Sequence, residues 1–338
     1  MSSELAVTLV CDERCFDLPE WPLLLEGDPN RHVFQSPEWN RVWWEAFSQD
    51  KDILVLVMKR GGDLAALVPL YRKVEDGRRV LRFVGGIELT DYLGPICSLG
   101  DRDDVAAALV GWLSDTPVEW DELDAHNMPV PFGFAEYLVD QADRSGFVFK
   151  LEQEEVSGVL PLSGDWEAHL SSLDQKDRHE LRRKLRRLRR EHPEARVRTA
   201  TEQTLKDDLG TFIALHRRSE GSKRLFMTPA MASFFAAVAR TFLDRGWLRL
   251  DLLEEDGRAL AATFAFEVDG RFYLYNSAFE PEARRLSPGV VLVAELVRRS
   301  FEAGLDTFDF LRGSQRYKYG LGAQPVPLNN VRVLNQPS

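Results

Sequence analysis

The chain has 338 residues, 44% of them hydrophobic and 29% charged, with a formal net charge of −11. That length matches about two domains and is enough to bury a core without disulfides or a metal. Eight Trp and 20 Phe are too much apolar area for a disordered chain, and the negative charge argues against a general DNA binder or an anionic membrane surface as partner.

No stretch reaches the roughly 20 apolar residues that cross a bilayer, so no membrane insertion is expected. Met1-Ser2-Ser3-Glu4 lacks the basic opening of a secretory signal. Cys11, Cys15 and Cys97 cannot all pair within one chain and lack zinc-site spacing. Reduced thiols, a cytoplasmic location and no metal are the expectation.

Along the chain, Ser36-Pro37 opens a helix whose Trp39, Val42, Trp43 and Phe47 share a core face. Ile53–Lys59, Gly61-Gly62-Asp63 and Leu64–Val74 read as a hairpin, followed by Asp76-Gly77 and a strand at Val80–Val84. A helix at Val105–Leu113, a strand at Trp120–His126 and a helix at Phe134–Arg144 complete the first half. The second half repeats this order. Phe34-Gln35-Ser36-Pro37 is echoed by Phe226-Met227-Thr228-Pro229, Gly62–Ala66 by Gly257–Ala262, Asp76-Gly77 by Asp269-Gly270, and Asp121–Asp124 by Thr307–Phe310, at offsets of 185 to 195 residues. Unrelated hairpins would give isolated matches, whereas the common order and offset favour two copies of one α/β unit. The expected boundary lies near Glu152–Gly158, giving units at 1–155 and 156–338.

Between the copies, nine Lys and Arg lie between Lys176 and Arg190 among only Asp177 and Glu180. Leu181, Leu185 and Leu188 form one stripe of a helix that His192-Pro193 ends. Its arginines either balance an acidic surface or dock an anion, a phosphorylated donor or an RNA. The leucine stripe favours a mainly structural role.

The stretch richest in chemistry follows the strand Arg271–Asn276. The loop through Glu280-Pro281 carries Arg284 and Arg285, and Ser287-Pro288-Gly289 opens a helix to about Phe301. Ser287 is the expected cap, Pro288 fits the first turn, and the first amides are free to receive a phosphate. Downstream, the strand Thr307–Arg312 runs into Gly313 and then Tyr317-Lys318-Tyr319-Gly320-Leu321-Gly322. Such a segment can cover a ligand with aromatic groups and set an ammonium against a phosphate or oxyanion.

These pieces, with Phe34–Trp39, Arg82-Phe83-Val84-Gly85-Gly86, Lys176–Lys184, Tyr273-Leu274-Tyr275-Asn276-Ser277 and Asp309–Gly313, resemble the GNAT superfamily of acyltransferases. The branch is the CelD-like one with two tandem GNAT-type units, similar in layout to FemAB-type transferases. The resemblance implies an α/β fold with a mixed sheet in each unit, the two packed together. It also implies an N-acyltransferase that passes an acetyl group from acetyl-CoA, as co-substrate, to an amine by direct attack. The first unit would serve as scaffold or acceptor-binding half, and the second would bind the donor and catalyse. Asp309 would remove the proton, Tyr317 protonate the leaving thiolate, Lys318 neutralise phosphate or the oxyanion, and Tyr275 line the cleft. Asn276 and Ser277 would hold the donor carbonyl, and Arg284, Arg285, Ser287, Pro288 and Gly289 its phosphates. The loop departs from the superfamily's glycine-rich pattern, lacking one glycine and admitting Pro288. The acceptor would be a small molecule, sugar or peptide amine, with RNA the lesser partner. Two other readings stay open: an aminoacyl-tRNA-dependent FemAB-type transferase, and a catalytically silent binding protein of polysaccharide or envelope assembly.

Overall fold

The computed structural model describes residues 4–219 and 222–335. Met1–Ser3, part of the opening read above for a signal, lie outside the described residues. The chain divides into two compact units, Met1–Val156 with Val326–Ser338, and Ser157–Pro325.

The first unit runs through β1 (Ala6–Val10), α1 (Trp21–Glu26), α2 (Pro37–Phe47), β2 (Asp52–Arg60), β3 (Asp63–Glu75), β4 (Arg78–Phe83), the short β5 (Ile96–Cys97), α3 (Arg102–Asp115), β6 (Glu122–Pro129) and α4 (Phe134–Arg144). Ser36 caps α2, its hydroxyl accepting from the Trp39 amide at 3.2 Å. Trp39, Val42 and Trp43 are buried, as their spacing predicts. Strands β1-β2-β3-β4-β6 neighbour one another in that order, antiparallel except for β4 with β6. Leu54, Leu56, Leu70 and Leu81 of the sheet pack with Val105, Leu109, Phe134 and Leu138 of α3 and α4.

β7 (Val148–Pro161) crosses the boundary between the units. The second unit continues with α5 (Trp166–Ser172), α6 (Gln175–Glu191), β8 (Arg196–Thr199), α7 (Leu205–Arg218), α8 (Ser222–Phe226), α9 (Pro229–Asp244), β9 (Leu248–Glu255), β10 (Arg258–Val268), β11 (Arg271–Phe279), α10 (Pro288–Glu302), β12 (Thr307–Arg312) and α11 (Arg316–Gly320). Its strand order is β7-β12-β11-β10-β9-β8, antiparallel except for β11 with β12. One face packs on α10 through Phe272, Leu274, Leu292, Val293, Leu296 and Phe308. On the other, Phe212, Phe235, Phe264 and Tyr275 form an aromatic cluster with α7 and α9.

The two units share an element order in which the single parallel pair sits at the same place in each sheet. The difference from the expected division lies at the C-terminus. The last strand, β13 (Gln324–Leu334), pairs antiparallel with β6, from Leu328 opposite Pro129 to Leu334 opposite Glu122. Residues 326–338 therefore belong to the first unit rather than the second. The physical reason is burial: Leu328, Val331 and Val333 are fully enclosed, the last two within the first unit's core.

Candidate active site

The second unit's parallel pair does not stay paired. β11 and β12 are in register only from Arg271 opposite Thr307 to Tyr273 opposite Asp309. Beyond that point β11 runs on to Phe279 and β12 to Arg312. Irregularities on both flanks accompany the parting. The β10–β11 register shifts between Phe264 and Phe266, and the β12–β7 register shifts between Asp309 and Arg312. Bulges of this kind bend a strand and re-aim its groups.

At the second bulge Leu311 has φ +57°, a left-handed conformation that costs a non-glycine residue about 1–2 kcal/mol. Its neighbours hold it there. Asp309, 4% exposed, accepts from the Leu311 amide at 2.8 Å. Lys318, 3% exposed, donates its ammonium to the carbonyls of Leu311 (2.9 Å) and Arg312 (2.6 Å). Lys318, expected against a phosphate or oxyanion, directs its ammonium here to the last two carbonyls of β12, which the bulge leaves in need of a donor.

Tyr317 faces differently. Its ring meets Phe310 edge-on at 6.3 Å, and burial raises its phenol to about 12, so it stays protonated at neutral pH. Tyr275 sits in the aromatic cluster beside Phe235 and Phe266. The Asn276 side chain accepts from the Ser277 amide at 2.8 Å, fixing the backbone where β11 leaves β12.

The loop before α10 is a short 3-10 turn, Pro281–Leu286. Ser287 is the cap position as expected, but its hydroxyl makes no capping bond. The residue has φ +54°, and its amide donates back to the Arg284 carbonyl at 3.0 Å. Pro288 is the first helical residue, and Gly289 lies in ordinary contact with Phe279. Arg285 forms an ion pair with Glu191, and its carbonyl accepts from Arg187 at 2.7 Å. The loop is thus pinned to the end of α6.

The role of α6 was the least legible part of the site. Its leucine stripe is buried as predicted, Leu181 and Leu188 joining Leu292 and Val291 in the core. Beside that stripe lies a groove of about 880 Å³ between α6, the first turn of α10 and α11. Lys176, Arg183, Lys184 and Arg186 line it from α6, and Arg316 and Tyr317 from α11. Val290, next to Gly289, closes its third side. The structure therefore brings Tyr317 and the α10 entry to one groove. Lys318, Asp309 and Tyr275 are not among the residues that line it. The signal in the sequence was the angular offset of the cations from the leucines, but nothing local told which neighbour they would face.

The matching place in the first unit is filled by its own acids. The first turn of α3 carries Asp103 and Asp104, and Arg60 bridges Asp101 (3.0 Å) and Asp104 (2.6 Å). Arg102 is buried against Asp28 at 2.7 Å and over the Phe132 ring. Among the described residues no cluster of His, Cys, Asp and Glu could hold a metal, and no helix is long and apolar enough to cross a membrane.

Residues 175–319 match the family model described as an acetyltransferase (GNAT) domain. No curated protein matches at the sequence level. Among solved structures, FemX is similar over 98% of both chains, with a TM-score of 0.68 and 13% identity. A conserved protein of unknown function from Bacteroides thetaiotaomicron gives 0.62 and 12%, covering 97% of this chain and 100% of that one. The C-terminal domain of a putative lysylphosphatidylglycerol synthetase from Agrobacterium fabrum gives 0.57 and 12%, over 96% and 93%. Residues 175–319 thus match a GNAT-type acetyltransferase domain, and the chain as a whole is similar in fold to FemX.

Proposed function

We propose that the second unit transfers an acyl group, most simply acetyl from acetyl-CoA, to an amine. The observation that carries this reading is the parting of β11 and β12 beyond Tyr273 and Asp309, beside a groove that holds Tyr317 and the entry of α10. A thioester laid between parting strands meets backbone amides on one side and a proton donor at its end.

In this reading the amine nitrogen attacks the thioester carbonyl carbon, the C–S bond breaks, and the thiolate takes a proton. Amides near Asn276 and Ser277 stabilise the oxyanion, which takes the place of the Asn276 side chain at the Ser277 amide. Asp309 takes the proton that the amine loses, and Tyr317, still protonated, supplies the one the thiolate gains. Tyr275 shapes the cleft wall, and Lys318 acts as a positioning residue by holding the Leu311 turn. Arg284, Arg285 and the amides of Ser287, Pro288 and Gly289 are the loop's candidates for the donor phosphates. The first unit, with its α3 entry closed by carboxylates, is the scaffold or acceptor-binding half.

A second reading, an aminoacyl-tRNA donor, draws support from the likeness to FemX and from the exposed cations of α6. The two separate by experiment. Release of free thiol from acetyl-CoA in the presence of an amine panel supports the first. If acetyl-CoA neither binds nor turns over, that donor is excluded. Transfer from charged tRNA then supports the second, and absence of both activities leaves a silent binding protein.

A further inference from the structure

We propose that the groove between α6 and α11 is the site for the phosphate groups of the donor, and that α6 and Arg316 supply its cations in place of Arg284 and Arg285. The proposal rests on the acyl-donor reading above and assigns the charged part of that donor to a helix that precedes the second unit's strands β8–β12.

The groove's floor is apolar, formed by Leu181, Val290 and Leu321, and its walls carry Lys176, Arg183, Lys184, Arg186 and Arg316 against Asp177 and Glu180. Glu180 is shared between Arg183 at 2.7 Å and Lys184 at 3.5 Å. Among the described residues no carboxylate pairs with Lys176 or Arg186. In a chain of net charge −11, with carboxylates plentiful, cations left without partners along one groove point to an anion from outside.

The loop arginines expected to do this work do not line the groove. Arg285 is paired with Glu191, and Arg187 holds its carbonyl. Arg316 does line the groove, from α11, 66% exposed, with its Nη2 donating to both oxygens of Asp177 at 2.6 and 2.8 Å. A carboxylate held at a guanidinium nitrogen occupies a place that a phosphate oxygen would take, since both are anionic acceptors for the same donor. Asp177 is therefore an internal competitor for the ligand, and an incoming phosphate exchanges with it at Arg316.

This exchange gives a signature that a structural role would not. Replacing Asp177 with Asn removes the competitor and should tighten anion binding about threefold to tenfold. The triple variant Lys176→Gln, Arg183→Gln, Arg186→Gln should weaken it tenfold or more and flatten its salt dependence. Arg284→Gln should change it less than threefold. The measurement is calorimetric titration of the full chain with CoA and with inorganic pyrophosphate, at two salt concentrations. CoA bound by the wild type and weakened by the triple variant, with a gain in Asp177→Asn, supports both the site and the donor reading. CoA bound equally by wild type and triple variant overturns the site and leaves the donor reading intact. Pyrophosphate bound through α6 without CoA binding keeps the groove as an anion site and overturns CoA as donor. Neither probe bound by the wild type overturns both.

Discussion

At the scale of single residues, Tyr317 and Lys318 adjoin in sequence and do opposite things. Tyr317 turns to the groove, and burial alone raises its phenol to about 12. A tyrosine in that state gives up a proton only to a partner that becomes strongly basic, as a departing thiolate does at the moment of bond cleavage. Tyr317→Phe is expected to lower kcat by about 10- to 100-fold with donor affinity changed less than threefold. An unchanged kcat in steady-state kinetics would remove Tyr317 from the proton path. Lys318 turns inward to the Leu311 and Arg312 carbonyls. Lys318→Met should cost about 2–3 kcal/mol in chemical denaturation, because both carbonyls lose a charged donor at a buried site. Loss of activity without loss of stability would return Lys318 to direct contact with the ligand. Of this pair the sequence announced chemistry at both positions. It did not distinguish them, because the division depends on Leu311 adopting a left-handed conformation that no leucine signals.

At the scale of elements, what is encoded locally was legible. Asp76-Gly77, Asp256-Gly257 and Asp269-Gly270 all take φ near +50° and then near +75°, the geometry of tight two-residue hairpins, and each joins the strands expected. The helices Phe134–Arg144 and Pro288–Glu302 stand where their apolar residues placed them, although no side chain caps either N-terminus. Elements fixed by distant partners were not legible. β5 has two residues and exists because Ala66 and Leu67 pair with it, and β8 is short, polar and visible only against β9. α6 shows both kinds of information at once. Its leucine stripe predicted burial, and its charge predicted exposure, but the choice between balancing the surface and lining a groove required α11 in place. The helix depends on the stripe to present its cations. Leu181→Ala should cost about 2–4 kcal/mol and weaken donor binding without removing any charge. Full donor affinity in a destabilised Leu181→Ala protein would show that the groove does not need α6 to be seated.

At the scale of the whole molecule, the two units respond to different perturbations. The first contains a charged network around His126, whose ring nitrogens meet Asp124 at 2.9 Å and Glu154 at 2.6 Å. Burial alone would lower the imidazole pKa, but the two carboxylates override it and raise it to about 9. A raised folded value contributes stability that is complete below the unfolded value near 6.5 and is lost as pH rises through about 9. Denaturation of the wild type should therefore show stability falling between pH 6.5 and 9.5, and His126→Gln should flatten that fall. An equal fall in the variant would place its origin elsewhere. The second perturbation is truncation. Removing residues 326–338 takes from the first unit the strand that pairs with β6, including the fully buried Leu328, Val331 and Val333. Each such side chain is worth about 1.5–3 kcal/mol of burial, and the β6 amides and carbonyls that pair with β13 would lose their partners as well. A domain is typically stable by only about 5–15 kcal/mol, so this loss is enough to unfold the first unit. The second unit keeps its own core, including the groove, because the residues beyond Pro325 lie outside it. Hydrogen exchange of the truncated chain is expected to show β2, β3 and β6 deprotected, with β9 to β12 still protected. Protection retained in β6 would mean that the strand is dispensable to the first unit. Deprotection spread evenly over both units would mean that they fold as one cooperative body rather than two.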